Sequence, residues 1–223
     1  MKERIKILVI LFSLILMISS ISGITTASEP EGEGVFGSGF TALDLEELND
    51  ILEEEGSPKF DNPLFSLNFS NSYDMGPDWY LGNTTISAID REVANDKTGY
   101  LSFVYIGVNG GSQRELTEDI TLQAGAGAGL GMLNIYLQHE DPEHARELLG
   151  SPFDSTLLKY YLMLSPELKV AYNFNQKSSI QLGVNYFYGL SGDNWYHYYE
   201  NKVKGPLSTL QGTGITVNYG YTF

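Results

Sequence analysis

Cysteine is absent from the 223-residue sequence, and basic residues are few. The lack of cysteine excludes disulfide bonds and a lipid-modified N-terminal cysteine. The chain has 13 lysine and arginine residues against 28 aspartate and glutamate residues, which gives a formal net charge of −15. This acidic balance argues against a nucleic-acid partner and against a polybasic mode of membrane-surface binding.

Long apolar runs are also missing beyond the N-terminal region. The other apolar stretches are far shorter than the roughly 20 residues that a membrane-spanning helix requires. A membrane protein made from this chain must therefore be a closed β-barrel, in which every backbone polar group is paired between strands. The 15 tyrosines and 11 phenylalanines are many for this length, and aromatic girdles around such barrels are one reason for an excess.

The N-terminal region has the pattern of an export signal. Lys2, Arg4 and Lys6 precede the apolar run 7–18, and small residues follow it. This order predicts a secretory signal peptide over residues 1–27, cleaved before Ser28. The alternative is a membrane anchor, for which the apolar run is short. We expect residues 28–35 to form an acidic leader and residues 36–223 to form a single domain.

The last segment, 212–223, alternates strictly between two kinds of side chain. One face is small or polar, and the other carries Ile215, Val217, Tyr219, Tyr221 and Phe223. A period of two is typical of a β-strand with different surroundings on its two faces. An edge strand of this kind would be a liability in a soluble domain. It fits a strand with lipid on one side and a barrel lumen on the other.

Similar alternation recurs along the chain and predicts an all-β, antiparallel, up-and-down transmembrane barrel of about eight strands. The predicted strands are 34–40, 65–73, 79–89, 100–108, 120–132, 158–174, 180–188 and 212–223. We expect Pro166 to distort the sixth strand locally, since proline cannot donate to the ladder. If the C-terminus faces the periplasm, connections 1–2, 3–4, 5–6 and 7–8 face outside, and three of these four should be the longest.

One amphipathic helix is predicted over residues 44–55, with Asp44 as its N-cap. Leu45, Leu48, Ile51 and Leu52 form its apolar stripe. The predicted lumen face of the barrel is rich in glycine, so we expect another group to occupy part of the lumen. The helix is one candidate, as a plug or a lid. The alternative is that large lumen-facing side chains fill the space unaided: Tyr161, Met163 and Phe187.

The whole mature chain resembles small eight-stranded outer-membrane barrels of the OmpA/OmpX type. The C-terminal strand, with Tyr221 and a terminal Phe223, resembles the signal by which such barrels reach their insertion machinery. The resemblance implies a location in the outer membrane, with lipid and the insertion machinery as partners and an unknown surface ligand. We expect a non-enzymatic structural, surface-interaction or narrow-channel role, because none of the three histidines falls in a pattern of the enzymes known among small barrels.

The sequence offers two candidate sites for chemistry. One could bind a divalent ion and consists of His139, Glu140, Asp141, Glu143 and His144. Its spacing matches no metal motif, and a solvated acidic turn is the favoured interpretation. The other combines Ser191, Asp193 and His197, beside an aromatic segment 195–199 that we expect to lie in the membrane interface. We therefore predict no catalytic, cofactor-binding or metal-binding residues.

Two alternatives remain open. One is a lipid-modifying enzyme at the outer rim, which would need one of the three histidines to face a serine or an aspartate. The other is a soluble, calycin-like barrel with an apolar ligand inside. That barrel would have to place its apolar face inward and its glycine, serine and asparagine face outward.

Overall fold

A computed structural model describes residues 32–76, 78–95, 97–139, 155–197 and 202–223. Over these residues the chain forms one helix and ten strands. The helix is α1 (Glu46–Glu54). The strands are β1 (Gly32–Leu43), β2 (Leu64–Asp74), β3 (Trp79–Ala94), β4 (Lys97–Glu115), β5 (Ile120–His139), β6 (Ser155–Asn175), β7 (Ser178–Leu190), β8 (Asn194–His197), β9 (Val203–Lys204) and β10 (Thr209–Thr222). The predicted signal peptide lies outside the described residues.

Eight of these strands form a closed antiparallel barrel. Their order is β5-β4-β3-β2-β1-β10-β7-β6, and pairing between β5 and β6 closes the ring. Each strand therefore pairs with its neighbours along the chain, while β10 lies between β1 and β7. The short strand β8 pairs with β6, and β9 pairs with β8. The predicted eight-stranded up-and-down barrel is confirmed.

The two ends of the barrel differ. At one end, which we call the long-connection end, β1, β5 and β7 lead into the three connections with the most residues, 44–63, 140–154 and 191–208. The opposite end, the short-turn end, carries both termini of the barrel and the turns after β2, β4 and β6. Three of the four connections at one end are the longest, as predicted. Within the described residues no helix is long and apolar enough to cross a bilayer.

The outer face of the barrel is apolar. On β10, Ile215 and Val217 are 53% and 57% exposed, whereas the intervening Thr216 is 6% exposed and faces the lumen. The same alternation holds along β7. Aromatic rings lie in pairs on this outer face: Phe36–Phe69, Tyr100–Tyr136, Tyr160–Tyr196 and Phe174–Tyr219. The outer face therefore carries a band of large apolar side chains, as expected of strands that face lipid.

The first strand and the helix begin at positions other than those predicted. β1 starts at Gly32, so residues 32–35 belong to the barrel and not to an acidic leader. The prediction that Asp44 caps the helix is wrong. The Asp44 amide donates to the Gln211 carbonyl oxygen, 2.8 Å away, and the N-cap position is Leu45, without a side-chain cap. The β1–β10 ladder extends through Asp44 and delays the helix.

Two predicted connections are largely strand. Residues 90–98 lie between the third and fourth predicted strands, and residues 109–118 between the fourth and fifth. Most of both segments belong to β3 and β4, which pair from Trp79↔Ser112 to Ala94↔Lys97. An antiparallel hairpin continues through backbone hydrogen bonds whatever the charge of its side chains. Where the side chains on both faces of the hairpin are polar, the sequence no longer alternates, although the two strands remain paired.

Strand β6 runs through Pro166 with the predicted local distortion. Leu164 pairs with Tyr188 and Glu167 with Asn185 in one register, but Ser165 and Pro166 have no pairing with β7. The pairing with β5 continues through Ala126↔Pro166. Because proline lacks an amide hydrogen, only the ladder on one side is interrupted.

The glycines of the lumen face make room for large side chains from neighbouring strands. A Cβ atom on Gly125 would lie 2.3 Å from the Tyr80 hydroxyl and 2.6 Å from the Gly110 carbonyl oxygen. A Cβ atom on Gly131 would lie 2.9 Å from the Met163 sulfur. The glycine-rich face is therefore filled by the side chains that lie against it.

Replacement of Gly125 by alanine should destabilise the barrel by about 1–3 kcal/mol, because the methyl group overlaps a backbone carbonyl that cannot move freely. Gly34→Ala is the matched control, since its nearest atom would be 3.5 Å from the new Cβ. Equilibrium unfolding in urea with both variants checks the difference. Equal stability of the two would contradict this account of the packing.

Candidate functional site

The long-connection end of the barrel is covered by α1. Leu45, Leu48 and Leu52 of the helix are buried in one cluster with side chains of the barrel interior. Lys97 at the start of β4 donates to the Glu55 carbonyl oxygen, 2.7 Å away, so the helix reaches across from β1 to β4. Ile51, predicted to belong to the apolar stripe, is 42% exposed. The helix covers the mouth of the barrel rather than descending into it.

The connection that carries α1 is fastened at both sides of the helix. The side-chain amide of Asn49 donates to the Phe60 carbonyl oxygen at 3.0 Å and accepts from the Phe60 amide at 2.9 Å. The side chain of Asn62 makes the same pair of bonds with the backbone of Leu43. Exposed Lys59 forms an ion pair with Glu53, and its hydrogen bond with that carboxylate raises the pKa of Lys59.

A second segment, residues 206–207, enters the mouth beside the helix. The Leu207 side chain is buried, and its backbone has a φ of +63°, a conformation that costs a leucine roughly 1–2 kcal/mol. The Leu207 amide donates to the Glu47 carboxylate at 3.1 Å, and the Tyr161 hydroxyl donates to the Leu207 carbonyl oxygen at 3.0 Å. These bonds join the segment to both the helix and the barrel wall. We call α1 together with residues 206–207 the lid.

The Pro206 carbonyl oxygen is the second point of attachment. It accepts from the Lys159 ammonium group at 2.7 Å and from the Trp195 indole at 3.0 Å. Lys159 is fully buried, with its ammonium group 5.3 Å from the centre of the Trp195 ring. A buried lysine is costly unless its hydrogen bonds are made. Among the described residues, the cation donates to a carbonyl oxygen and lies beside an aromatic ring.

Beneath the lid the lumen is a packed apolar core. Phe187 lies 5.4 Å from Phe103 and 5.6 Å from Tyr105, ring centre to ring centre, in both cases nearly edge-on. Tyr161 and Met163 are also buried in this cluster. The large side chains fill the lumen but not unaided, because the leucines of the helix belong to the same cluster and close its end.

The half of the lumen nearer the short-turn end is polar and centres on Glu167. One oxygen of its carboxylate accepts from the Tyr80 hydroxyl at 2.8 Å and from the Asn109 amide at 2.7 Å. Its other oxygen lies 3.1 Å from the Lys169 ammonium group, and both side chains are nearly buried, at 7% and 13% exposed. The pair is neutral overall, and each partner depends on the other for its charge balance.

The short-turn end opens into an acidic vestibule with a volume of about 550 Å³. Its lining includes the carboxylates of Glu33, Asp74, Glu115, Glu118 and Asp119, and no described lysine or arginine lines it. Glu33 accepts from Ser179 and Gln181, each at 2.7 Å. Within the described residues, the half of the lumen nearer the short-turn end thus forms a polar cup. The cup opens at the short-turn end, and the apolar core under the lid closes its other end.

The predicted candidate residues remain untested as sites. Glu140, Asp141, Glu143 and His144 lie outside the described residues, and the backbone of His139 ends β5. His197 ends β8, while Ser191 and Asp193 contribute backbone hydrogen bonds to Ser208 and Gly205. Within the described ranges no group of three or more His, Cys, Asp or Glu residues could hold a metal ion.

Trp195 lies elsewhere than predicted. It is 3% exposed and attached to the lid, so it is not part of an aromatic belt, whereas its neighbour Tyr196 packs on Tyr160 of the outer face. The short strand β8 alternates, which turns one ring inward and the next outward. The charged lumen residues Lys159, Glu167 and Lys169 were not among the predicted site residues. All three have odd residue numbers in β6, and because successive side chains alternate between the faces of a strand, this indicates that they lie on one inner face.

No protein-family model and no curated protein matches the chain. Among solved structures, it is similar to Ail, the attachment invasion locus protein of Yersinia pestis, solved with the heparin analogue sucrose octasulfate. The TM-score is 0.54 at 14% identity, over 87% of this chain and 99% of Ail. It is also similar to Neisserial surface protein A, with a TM-score of 0.53 at 12% identity, over 87% of this chain and 100% of that one.

A third structure is the outer membrane protease OmpT from Escherichia coli, with a TM-score of 0.40 at 11% identity, over 92% of this chain and 100% of OmpT. That likeness is too weak to carry an argument. At these identities the first two structures establish the fold alone, which is the small eight-stranded barrel of outer-membrane proteins.

Proposed function

We propose that this chain is a non-enzymatic outer-membrane barrel protein with a structural or surface-interaction role. The observation that carries the proposal is the closed mouth: the lid and the apolar core beneath it leave no continuous polar path along the described lumen. A protein built to pass solutes needs such a path. Among the described residues at the long-connection end, the outer surface of α1 is exposed.

The apolar outer face supports membrane insertion. Large apolar side chains on neighbouring strands are about half exposed, and exposing them to water would cost about 25 cal/mol for each Å². Lipid is therefore the proposed partner of this face. Tyr221 points outward near the end of β10, and exposed Phe223 directly follows the strand, which lies between β1 and β7. We propose that the insertion machinery binds the chain here.

A polyanion is a poor candidate for the surface ligand. Ail was solved with a heparin analogue, but the formal net charge of −15 on this chain would repel sulfated sugars. The exposed surface of α1 is itself acidic, with Glu46 in the first turn and Glu53 and Glu54 in the last. A cationic or neutral ligand suits this surface better.

Planar-bilayer recordings test the closed mouth. The purified barrel, shown to be folded by its heat-dependent shift on an unheated SDS gel, should give no steady ion current above that of protein-free lipid. A general porin in the same bilayer is the positive control. A reproducible unit conductance of the unmodified protein would contradict the proposal and favour the narrow-channel role.

A further inference from the structure

A small cavity of about 20 Å³ lies in the middle of the lumen, between the apolar core and the polar cup. The lining residues that matter here are Asn68, Thr84, Tyr105, Asn109, Glu167 and Lys169. Four of them contribute an oxygen atom that has no hydrogen-bond partner among the described residues: Asn68 Oδ1, Thr84 Oγ1, the Tyr105 hydroxyl and Asn109 Oδ1. Each of these four residues is more than nine-tenths buried.

The two amide oxygens are fixed as acceptors. The nitrogen of the Asn68 side chain donates to Asn218 Oδ1 at 3.1 Å, and that of Asn109 donates to Glu167 Oε1 at 2.7 Å. The oxygens of both side chains therefore need a donor. Thr84 and Tyr105 each carry a hydroxyl that can donate. A buried polar group without a partner destabilises the fold by roughly 1–3 kcal/mol, so four such groups around one cavity require explanation.

We propose that this cavity is a binding site for a single water molecule. The water donates to Asn68 Oδ1 and Asn109 Oδ1 and accepts from the hydroxyls of Thr84 and Tyr105, which uses all four of its hydrogen-bonding positions. The volume suffices, since a bound water needs about 10–15 Å³ and two to four polar partners. A cation is disfavoured because Lys169 lines the same cavity and Glu167 already balances its charge.

The water joins two hydrogen-bonded networks across the barrel. One network comprises Asn68 of β2 with Asn218 and Thr216 of β10. The other links Tyr80 and Asn109, from β3 and β4, to Glu167 of β6. The proposal rests on these lumen contacts and is independent of the role proposed for the protein.

Two threonine-to-valine variants test the site. Thr84 and Thr41 are both buried, and the hydroxyl oxygen of each has no hydrogen-bond partner within the described part of the chain, but of the two only Thr84 lines the cavity. Thr84→Val should lower the folding equilibrium constant roughly fivefold to tenfold, because the water loses a donor. Thr41→Val should leave the constant unchanged or raise it. Failure of Thr84→Val alone to refold also supports the site, whereas equal effects of the two variants would overturn it.

A measurement on the unmodified barrel covers the case in which neither variant refolds. Water–protein Overhauser spectra in micelles should show a long-lived water beside the side-chain amide protons of Asn109. The absence of that contact overturns the proposal. So does a shift of the Asn109 signals when sodium is exchanged for a bulky organic cation, because that result assigns the cavity to a metal ion.

Discussion

Replacement of Glu167 by glutamine is expected to destabilise the folded barrel by about 3 kcal/mol, a shift of roughly a hundredfold in the folding equilibrium constant. Glutamine keeps the shape of the side chain and an oxygen that accepts from Tyr80 and Asn109. It removes the counter-charge that lies 3.1 Å from the Lys169 ammonium group. The loss of stability therefore measures mainly the cost of leaving the buried Lys169 charge without its partner. Equilibrium unfolding in urea, with the barrel in vesicles or micelles, measures it.

The double variant Glu167→Gln/Lys169→Met should recover most of this loss, because neither charge remains in the lumen. Glu53→Gln is the matched control. It removes the same charge from an ion pair with Lys59 whose side chains are 47% and 66% exposed, and such exposed pairs contribute little. If Glu167→Gln and Glu53→Gln have the same effect, the lumen pair is solvated and the account of the polar cup is wrong.

The barrel could be predicted wherever its strands have unlike faces. β10 and β7 alternate strictly because their outer side chains meet an apolar environment and their inner side chains meet the lumen, so period and register are both visible in the sequence. The ends of β3 and β4 were missed because polar residues occupy both faces there. Backbone hydrogen bonds do not require side chains that alternate. The β3–β4 ladder therefore extends beyond the residues in which the side chains alternate.

The lid was only partly predictable. The apolar stripe of α1 indicated that the helix needs a partner, and the helical periodicity located Leu48 and Leu52 correctly. The attachments could not be found in the same way. Glu47 and Leu207 are 160 positions apart, and Lys159 and Pro206 are 47 apart. These pairs exist only because closure of the barrel brings β6 and the β7–β10 connection to one mouth.

Introduction of two aspartates on the inner face of the helix, Leu48→Asp with Leu52→Asp, should undock α1 from the mouth of the barrel. Burial of each leucine contributes about 1.5–3 kcal/mol, and an aspartate in the same place would have to bury an unpaired charge or leave the core. The population of the undocked helix should therefore rise at least roughly a hundredfold. Trypsin cleavage after Lys59, followed by the mass of the fragment ending there, measures that population when docking is fast relative to cleavage.

Ile51→Asp is the control for this experiment, since it makes the same chemical change on the same helix at a side chain that is 42% exposed. Its cleavage rate should stay close to that of the unmodified barrel, in which cutting after Lys59 should be slow. The heat-dependent gel shift should persist in every variant, because the strand ladders of the barrel do not include α1. Rapid cleavage of the unmodified barrel, or equal rates for the inner-face and Ile51 variants, would mean that the helix is not docked. The mouth would then be open, and the case for a narrow channel would return.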